Sequence, residues 1–328
     1  MQNILVTGGA GYIGSHIIEL LVKKNLNTII LDNLSTGHKE LINKKSKFIK
    51  ADIKNLTILK KIIKDENITS IIHLAACLNV SEAEAKPRKY YCNNVLGTIN
   101  LVKACKKSKV KNIIFSSSCS IYGSVEGAIS EKREPNPMGK YSSSKLSGEN
   151  IIKKYSKKYN YNYAILRYFN VVGASNSGDI GEVERSHNHL FKNIAISSLK
   201  KKSVMNIYGK NFNTHDGTCI RDYMHVMDLA EIHVKCLKKT YNEKKSAILN
   251  CGYARGFSVM EIVEKFKKIH NKKVTVYYKK PRLGDVASAY SNITKLKKFV
   301  SWRPKYNNLE LMIKSAIKWE KKLKNKKG

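Results

Sequence analysis

A glycine-rich turn wedged between an apolar strand and an amphipathic helix restricts the fold of this chain more than any other feature. Thr7-Gly8-Gly9-Ala10-Gly11-Tyr12-Ile13-Gly14 follows the β-branched run Ile4–Thr7 and leads into a stretch with Ile13, Ile17, Leu20 and Leu21 on one face. Gly9, Gly11 and Gly14 satisfy GxGxxG; Gly8, Gly11 and Gly14 satisfy GxxGxxG. The physics is the same either way. Residues without Cβ permit a tight turn, and main-chain N–H groups then approach a pyrophosphate at the positive end of a helix. The strand before and the helix after supply the context that a bare glycine pattern lacks.

The rhythm continues beyond the turn. Strands are expected at Ile4–Thr7, Thr28–Leu31, Lys47–Lys50, Ser70–Leu74, Asn112–Ser116 and Tyr163–Tyr168, with helices at about Leu56–Lys64, Lys89–Lys107 and Lys140–Lys158. Strand–helix–strand repetition implies right-handed crossovers, hence an α/β fold with a Rossmann-type, doubly wound parallel sheet. Past Asn170 the rhythm breaks, and Gly173–Gly181 reads as loop. The expected division is a dinucleotide-binding domain over 1–170 and a smaller substrate-binding lobe over 171–328, some of whose segments return to the main sheet. The Lys-rich end, Lys321–Gly328, is expected to fray.

Asp32 closes the second strand, 21 residues beyond Gly11. A carboxylate there accepts hydrogen bonds from ribose hydroxyls and repels a 2′-phosphate, and the following Asn33-Leu34 brings no arginine, so NAD is expected rather than NADP. Asp52-Ile53, after the third strand, is within reach of an adenine ring. Tyr141-Ser142-Ser143-Ser144-Lys145 sets a phenol and an ammonium one helical turn apart. A nearby cation favours the phenolate, and a phenolate can take a proton from a sugar hydroxyl while a hydride leaves the same carbon. YxxxK is common by chance in a chain with 18 tyrosines, but this pair follows the fifth strand, at the carboxyl end of the sheet where ligands bind. Ser118, just past that strand, can bond the same substrate oxygen.

Composition narrows the remaining classes. No apolar run reaches the roughly 18 residues of a membrane span, and the N-terminus lacks the layout of a signal peptide, so a cytoplasmic location is expected. Seven cysteines with no CxxC suggest thiols in a reducing compartment. His187 and His189 in a loop, and His225 and His233 about an apolar helix, give no metal-ligand spacing. The net charge of +36 raises nucleic-acid binding as a class. The lysines, however, are spread along the whole chain as solvated doublets, and no nucleic-acid partner is expected; a diffuse positive field still attracts an anionic substrate.

With the motifs Gly8–His16, Asp32-Asn33-Leu34, Tyr90–Asn94, Ser116-Ser117-Ser118, Leu166–Asn170, Asp216–Tyr223 and Arg282–Asp285, the chain resembles the extended short-chain dehydrogenase/reductase family, and within it the UDP-hexose 4-epimerases. The resemblance runs over nearly the whole length. It implies NAD-dependent interconversion of UDP-galactose and UDP-glucose through a transient 4-keto sugar, with Tyr141 as base, Lys145 lowering its pKa, and Ser118 completing the catalytic set. It implies an NAD site of Gly8, Gly11, Tyr12, Ile13, Gly14, Asp32, Asn33, Asp52, Ile53, Ala75, Asn94, Ser116, Tyr141, Lys145 and Tyr168. The UDP-sugar would lie against Ser118, Phe169, Asn170, Leu190, Tyr208, Arg221, Tyr223, Arg282 and Asp285, the arginines facing the diphosphate. A homodimer is implied, built from the long helix around Lys89–Lys107 and the Tyr141 helix. The chain departs from the family pattern at Leu74-Ala75-Ala76, at Leu78 where some members carry lysine, and at Asn188-His189. A position that closes the sugar pocket in some members falls at Ala289, which implies room for N-acetylated UDP-sugars. UDP-pentose epimerisation stays open. A 4,6-dehydratase would want carboxylates after Ser118, where the chain has Cys119-Ser120-Ile121-Tyr122-Gly123. A different class, a non-catalytic NAD-responsive regulator on the same fold, conflicts with the intact Ser118/Tyr141/Lys145 set.

Overall fold

Each of the six apolar runs of the first half becomes a strand of one parallel sheet in the computed structural model, which describes residues 2–183, 189–271, 273–282 and 285–325. They are Asn3–Thr7, Asn27–Asp32, Lys47–Lys50, Ser70–His73, Asn112–Ser118 and Asn162–Tyr168. From one edge, the third strand is followed by the second, first, fourth, fifth and sixth, and then by Ala247–Cys251. All these pairings are parallel. The order reverses between the first and fourth strands, which opens a crevice at their carboxyl ends.

Both faces of the sheet are covered, which is why its strands are apolar without alternation. Helix Tyr12–Lys23 buries Ile17, Ile18 and Leu21 in one core with Leu229, Ile232 and Leu237 of helix Val226–Asn242. Leu59, Ile62, Leu101, Val102 and Ile152 fill the other face. Full burial of such a side chain contributes about 1.5–3 kcal/mol.

Two exchanges cross residue 170. Ala247–Cys251 joins the main sheet beside Asn162–Tyr168, while Gly127–Ile129 pairs with Ser288–Ser291 in a smaller sheet that also holds Ile220–His225, Gly256–Ser258 and Asn170–Val172. A further parallel pair is formed by Ser203–Tyr208 and Val274–Lys279.

Two expectations need correction. The helix expected around Lys89–Lys107 runs without a break over 87–104, but its middle, Tyr91–Leu96, is π-helical rather than α-helical, and it stops at Ala104. The Asn94 amide in that segment is bonded to both backbone groups of Cys77 at 2.8 and 3.1 Å. The Lys-rich end does not fray at Lys321, because helix Leu309–Asn325 continues through it. Trp319 and Leu323 lock it down against Leu41, Ala174 and Val183. His187, Asn188, Leu283, Gly284 and residues 326–328 lie outside the described residues.

Candidate active site

The crevice is a cavity of about 500 Å³ that runs from the glycine turn past Tyr141 to Arg221 and Arg282. At its first end, Gly8 adopts φ +73°, and a Cβ on Gly14 would stand 2.4 Å from the Gly8 carbonyl oxygen. Only a glycine lets the helix start so close to the turn. Asp32 is held for a ligand by backbone donors: Ala10 N–H bonds one carboxylate oxygen at 3.1 Å and Leu34 N–H the other at 2.8 Å. Burial, the larger influence, still raises its pKa. Tyr12, Ile13, Asn33, Ile53 and Ala75 line the same end.

Tyr141 and Lys145 follow from helix Lys140–Tyr159, whose first N–H is fixed by Glu84 at 2.7 Å. Tyr141 and Ser118 both line the cavity, and Ser118 lies close enough to the phenol to favour its ionised form. Lys145 lies behind it, 3 % exposed, its ammonium donating to the Ser116 carbonyl at 2.9 Å. In the protein alone, burial dominates the electrostatics of both groups. Burial pushes the Tyr141 phenol up to about 12, with Ser118 pulling the other way. Burial also lowers Lys145 to about 8. Besides Ser116, the Lys145 ammonium lies 5.6 Å from the centroid of the Phe115 ring.

One turn beyond Lys145, Glu149 continues the stripe into the core and meets Arg167 at 2.7 Å. Arg167 reaches Tyr122, and Tyr122 reaches Asn250, each at 2.8 Å. This buried chain ties the helix of Tyr141 to two strands of the sheet. The i, i+4, i+8 series Tyr141, Lys145, Glu149 is the sequence signal that identifies it.

At the far end, the Arg282 guanidinium lies over the Tyr208 ring, 4.2 Å from its centroid. Arg221 bonds Asp285 at 3.1 Å and the Val286 carbonyl at 2.7 Å. Phe169, Asn170, Leu190 and Tyr223 complete this end, with Asn170 donating to the Asp222 carbonyl at 3.0 Å. Tyr168 lines the middle and bonds His233 at 2.5 Å.

Three residues expected at the NAD site are absent from the cavity wall: Asp52, Asn94 and Lys145. The Asp52 carboxylate is occupied by the Asn33 amide at 3.0 Å and the Lys54 N–H at 2.8 Å. Asn94 acts beneath the wall, bonding Ser144 at 3.0 Å as well as Cys77. The wall in turn includes His38, Cys77, Asn93, Glu182, His189 and Asn206, which no motif singled out as ligand contacts. His38, Cys77, Glu182 and His189 sit on loops, Asn206 on a strand and Asn93 in the π-helical segment, where no simple periodicity reports them.

No group of three His, Cys, Asp or Glu among the described residues is arranged to hold a metal, and no described helix is long and apolar enough to cross a membrane. The glycine cradle, the backbone-held Asp32 and the size of the cavity fit a dinucleotide.

Residues 4–252 match the model of the NAD dependent epimerase/dehydratase family. The UDP-glucose 4-epimerase of Lactobacillus helveticus is 39 % identical over 321 residues, spanning 98 % of this chain and 97 % of that one. A crystal structure of a UDP-glucose 4-epimerase superposes with a TM-score of 0.95 at 38 % identity, over 99 % of both chains. The UDP-Glc/GlcNAc 4-epimerase of Campylobacter jejuni superposes at 0.85 with 36 % identity, over 98 % of this chain and 100 % of that one.

Proposed function

The chain belongs to the NAD dependent epimerase/dehydratase family, and we propose that it interconverts UDP-galactose and UDP-glucose by inverting C4 through a transient 4-keto sugar. The observation that carries this reading is the joint placement, in one cavity, of a dinucleotide cradle, the Ser118–Tyr141 pair and two arginines around Tyr208. We assign 1–170 to cofactor binding and catalysis and 171–328 mainly to the nucleotide sugar.

Tyr141 takes the proton of the sugar 4-hydroxyl and later returns it, while the Ser118 hydroxyl bonds the same oxygen. Bound NAD supplies the reversible hydride acceptor and a positively charged ring. A phenol held at about 12 needs an added positive charge to ionise near neutrality. Lys145, one helical turn from Tyr141 and anchored on Ser116, is the second cation. Arg221 and Arg282 hold the diphosphate with paired N–H donors. Tyr208 stacks with the Arg282 guanidinium and presents its ring to the uridine end. Anchoring the UDP end alone leaves the sugar free to present either face.

The test is Tyr141→Phe: turnover falls at least a hundredfold while NAD stays bound, in line with the ~10²–10⁴-fold contribution of a general base. Near-normal turnover overturns the assignment.

Ala289 supports a second substrate class. Ala289 is not on the cavity wall but pairs with Arg221, which is, and packs against the cluster that holds the wall residue Phe169; a small side chain behind the wall is the feature taken to admit a C2 N-acetyl group. UDP-N-acetylhexosamines are therefore proposed as additional substrates.

A homodimer is proposed from the apolar side chains left exposed beside the partly π-helical stretch and the start of the Tyr141 helix: Val80, Tyr91, Leu96 and Met138. A cytoplasmic setting is proposed, in keeping with seven free thiols.

A further inference from the structure

In the first turn of helix Leu190–Ser198, Leu190, Phe191 and Asn193 line the cavity and Lys192 does not. At about 100° per residue, Lys192 points away from the mean direction of the other three. Its ammonium donates to the Glu320 carboxylate at 2.7 Å and to the Glu182 carbonyl. The two charged side chains are almost wholly buried, 4 % and 2 % exposed. Glu320 belongs to helix Leu309–Asn325, and so does Trp319, whose Nε1 donates to the same Glu182 carbonyl at 2.8 Å.

Glu182 is itself a wall residue. Its carboxylate meets the Nδ1 of His189 at 2.6 Å, and His189 immediately precedes the helix. His189 lies close enough to Arg282 to feel its charge, so this stretch of wall belongs to the arginine end of the cavity. The wall there has two pieces, Glu182 and the first turn of the helix, and one buried ammonium joins both to helix Leu309–Asn325. Such an ion pair is a poor source of stability. Desolvation offsets its attraction, and apolar side chains of like volume hold two helices as well. What the ammonium adds is direction: its charge-assisted bonds fix Glu182 and set the rotation of the helix that turns Leu190 and Asn193 to the cavity.

We propose that Lys192 is a positioning residue for the nucleotide sugar. Held by Glu320, it sets Glu182 and the first turn of helix Leu190–Ser198 at the spacing that the UDP end of the substrate requires. Helix Leu309–Asn325, none of whose residues lines the cavity, thereby shapes the substrate site from behind. This rests on UDP-sugar binding at the Arg221 and Arg282 end, a premise read separately by UDP binding to the parent protein.

The experiment uses the purified holoenzyme as the parent, as Lys192→Met and as the double variant Lys192→Met/Glu320→Leu. UDP affinity is measured by calorimetry, KM and kcat on UDP-galactose by steady-state assay, and NAD per protomer by acid extraction. The double variant leaves neither buried charge without its partner, so it covers the case in which Lys192→Met alone fails to fold. The expected result is UDP affinity weakened and KM raised about tenfold, a modest share of what a ~1 Å misplacement can do. The change in kcat is smaller than that in KM, and NAD content stays at the parent level. UDP affinity at the parent level in the folded double variant overturns the proposal. So does a parallel loss of NAD, which would mark the pair as support for the whole cavity. A parent protein that binds no UDP overturns the premise and the proposal with it, and the parent sample alone tells that result from the others.

Discussion

Glu149 and Arg167 face each other through two charge-assisted bonds, Nε to Oε1 at 2.9 Å and Nη2 to Oε2 at 2.7 Å, directly beneath the helix that carries Tyr141 and Lys145. Ser117 adds a third bond to the carboxylate at 2.5 Å. Both charged side chains are almost wholly buried, 0 % and 4 % exposed, so neither can turn to water if its partner is lost. Removing one partner of such a pair costs about 3–5 kcal/mol, chiefly by leaving the other charge unpaired. Glu149→Ala is therefore expected to lower the unfolding free energy by about that amount in a urea titration. A loss under about 1 kcal/mol would show that the pair does not anchor the helix.

The fold and the placement of Tyr141 and Lys145 on one helix are legible in the sequence for physical reasons. Ile4–Thr7 and Asn112–Ser116 are apolar runs too short for helices, and a parallel sheet covered on both faces requires such runs. Tyr141 and Lys145 announce themselves by the pitch of one helix. What was not legible depends on distant partners. Ala247–Cys251 enters the main sheet only because Asn162–Tyr168 offers an open edge. The π-helical segment Tyr91–Leu96 carries Asn94, whose amide bonds the Cys77 backbone, a partner distant in sequence. The burial that raises the Tyr141 pKa is likewise invisible in the spacing, which shows only the lysine. His38 and Asn206 reach the cavity wall from a loop and a strand surface, positions that carry no periodic signal.

Acid should destabilise the protein well above the range of carboxylate titration. Burial holds His16 and His233 at about 4, and His73 and His225 at about 3. In each case the folded pKa lies below the unfolded value of about 6.5. The unfolded chain therefore binds more protons, and stability present above pH 6.5 is lost as pH falls toward the folded values. Asp32, Asp222 and Asp228 are raised by burial and oppose this trend only further down, near carboxylate pKa values. The urea midpoint is expected to fall steadily from pH 7 to pH 5. A flat profile over that window would contradict the buried, neutral state of these four rings.

The net charge of +36 against an anionic substrate makes encounter sensitive to salt. Raising ionic strength shortens the reach of the field to about 10 Å at 0.1 M and less beyond. Steady-state assays on UDP-galactose are expected to show kcat/KM falling several-fold between low and physiological salt, with kcat nearly constant. A salt-independent kcat/KM would mean that only the arginines within the cavity matter.

Ala289 predicts tolerance at C2. UDP-GlcNAc and UDP-GalNAc should be turned over by the parent protein, and Ala289→Tyr should suppress that activity at least tenfold while sparing UDP-galactose. If neither N-acetylated sugar reacts, Ala289 does not set the size of the sugar pocket.

The central claim, NAD-dependent inversion at C4 of a UDP-hexose, is tested most directly by incubating the purified protein with UDP-galactose, without added NAD, and following the sugar by proton NMR. The account predicts that UDP-glucose accumulates to a stable mixture, carried by NAD that co-purifies in the cradle. Folded protein that leaves UDP-galactose unchanged, both alone and after NAD is added, would contradict it.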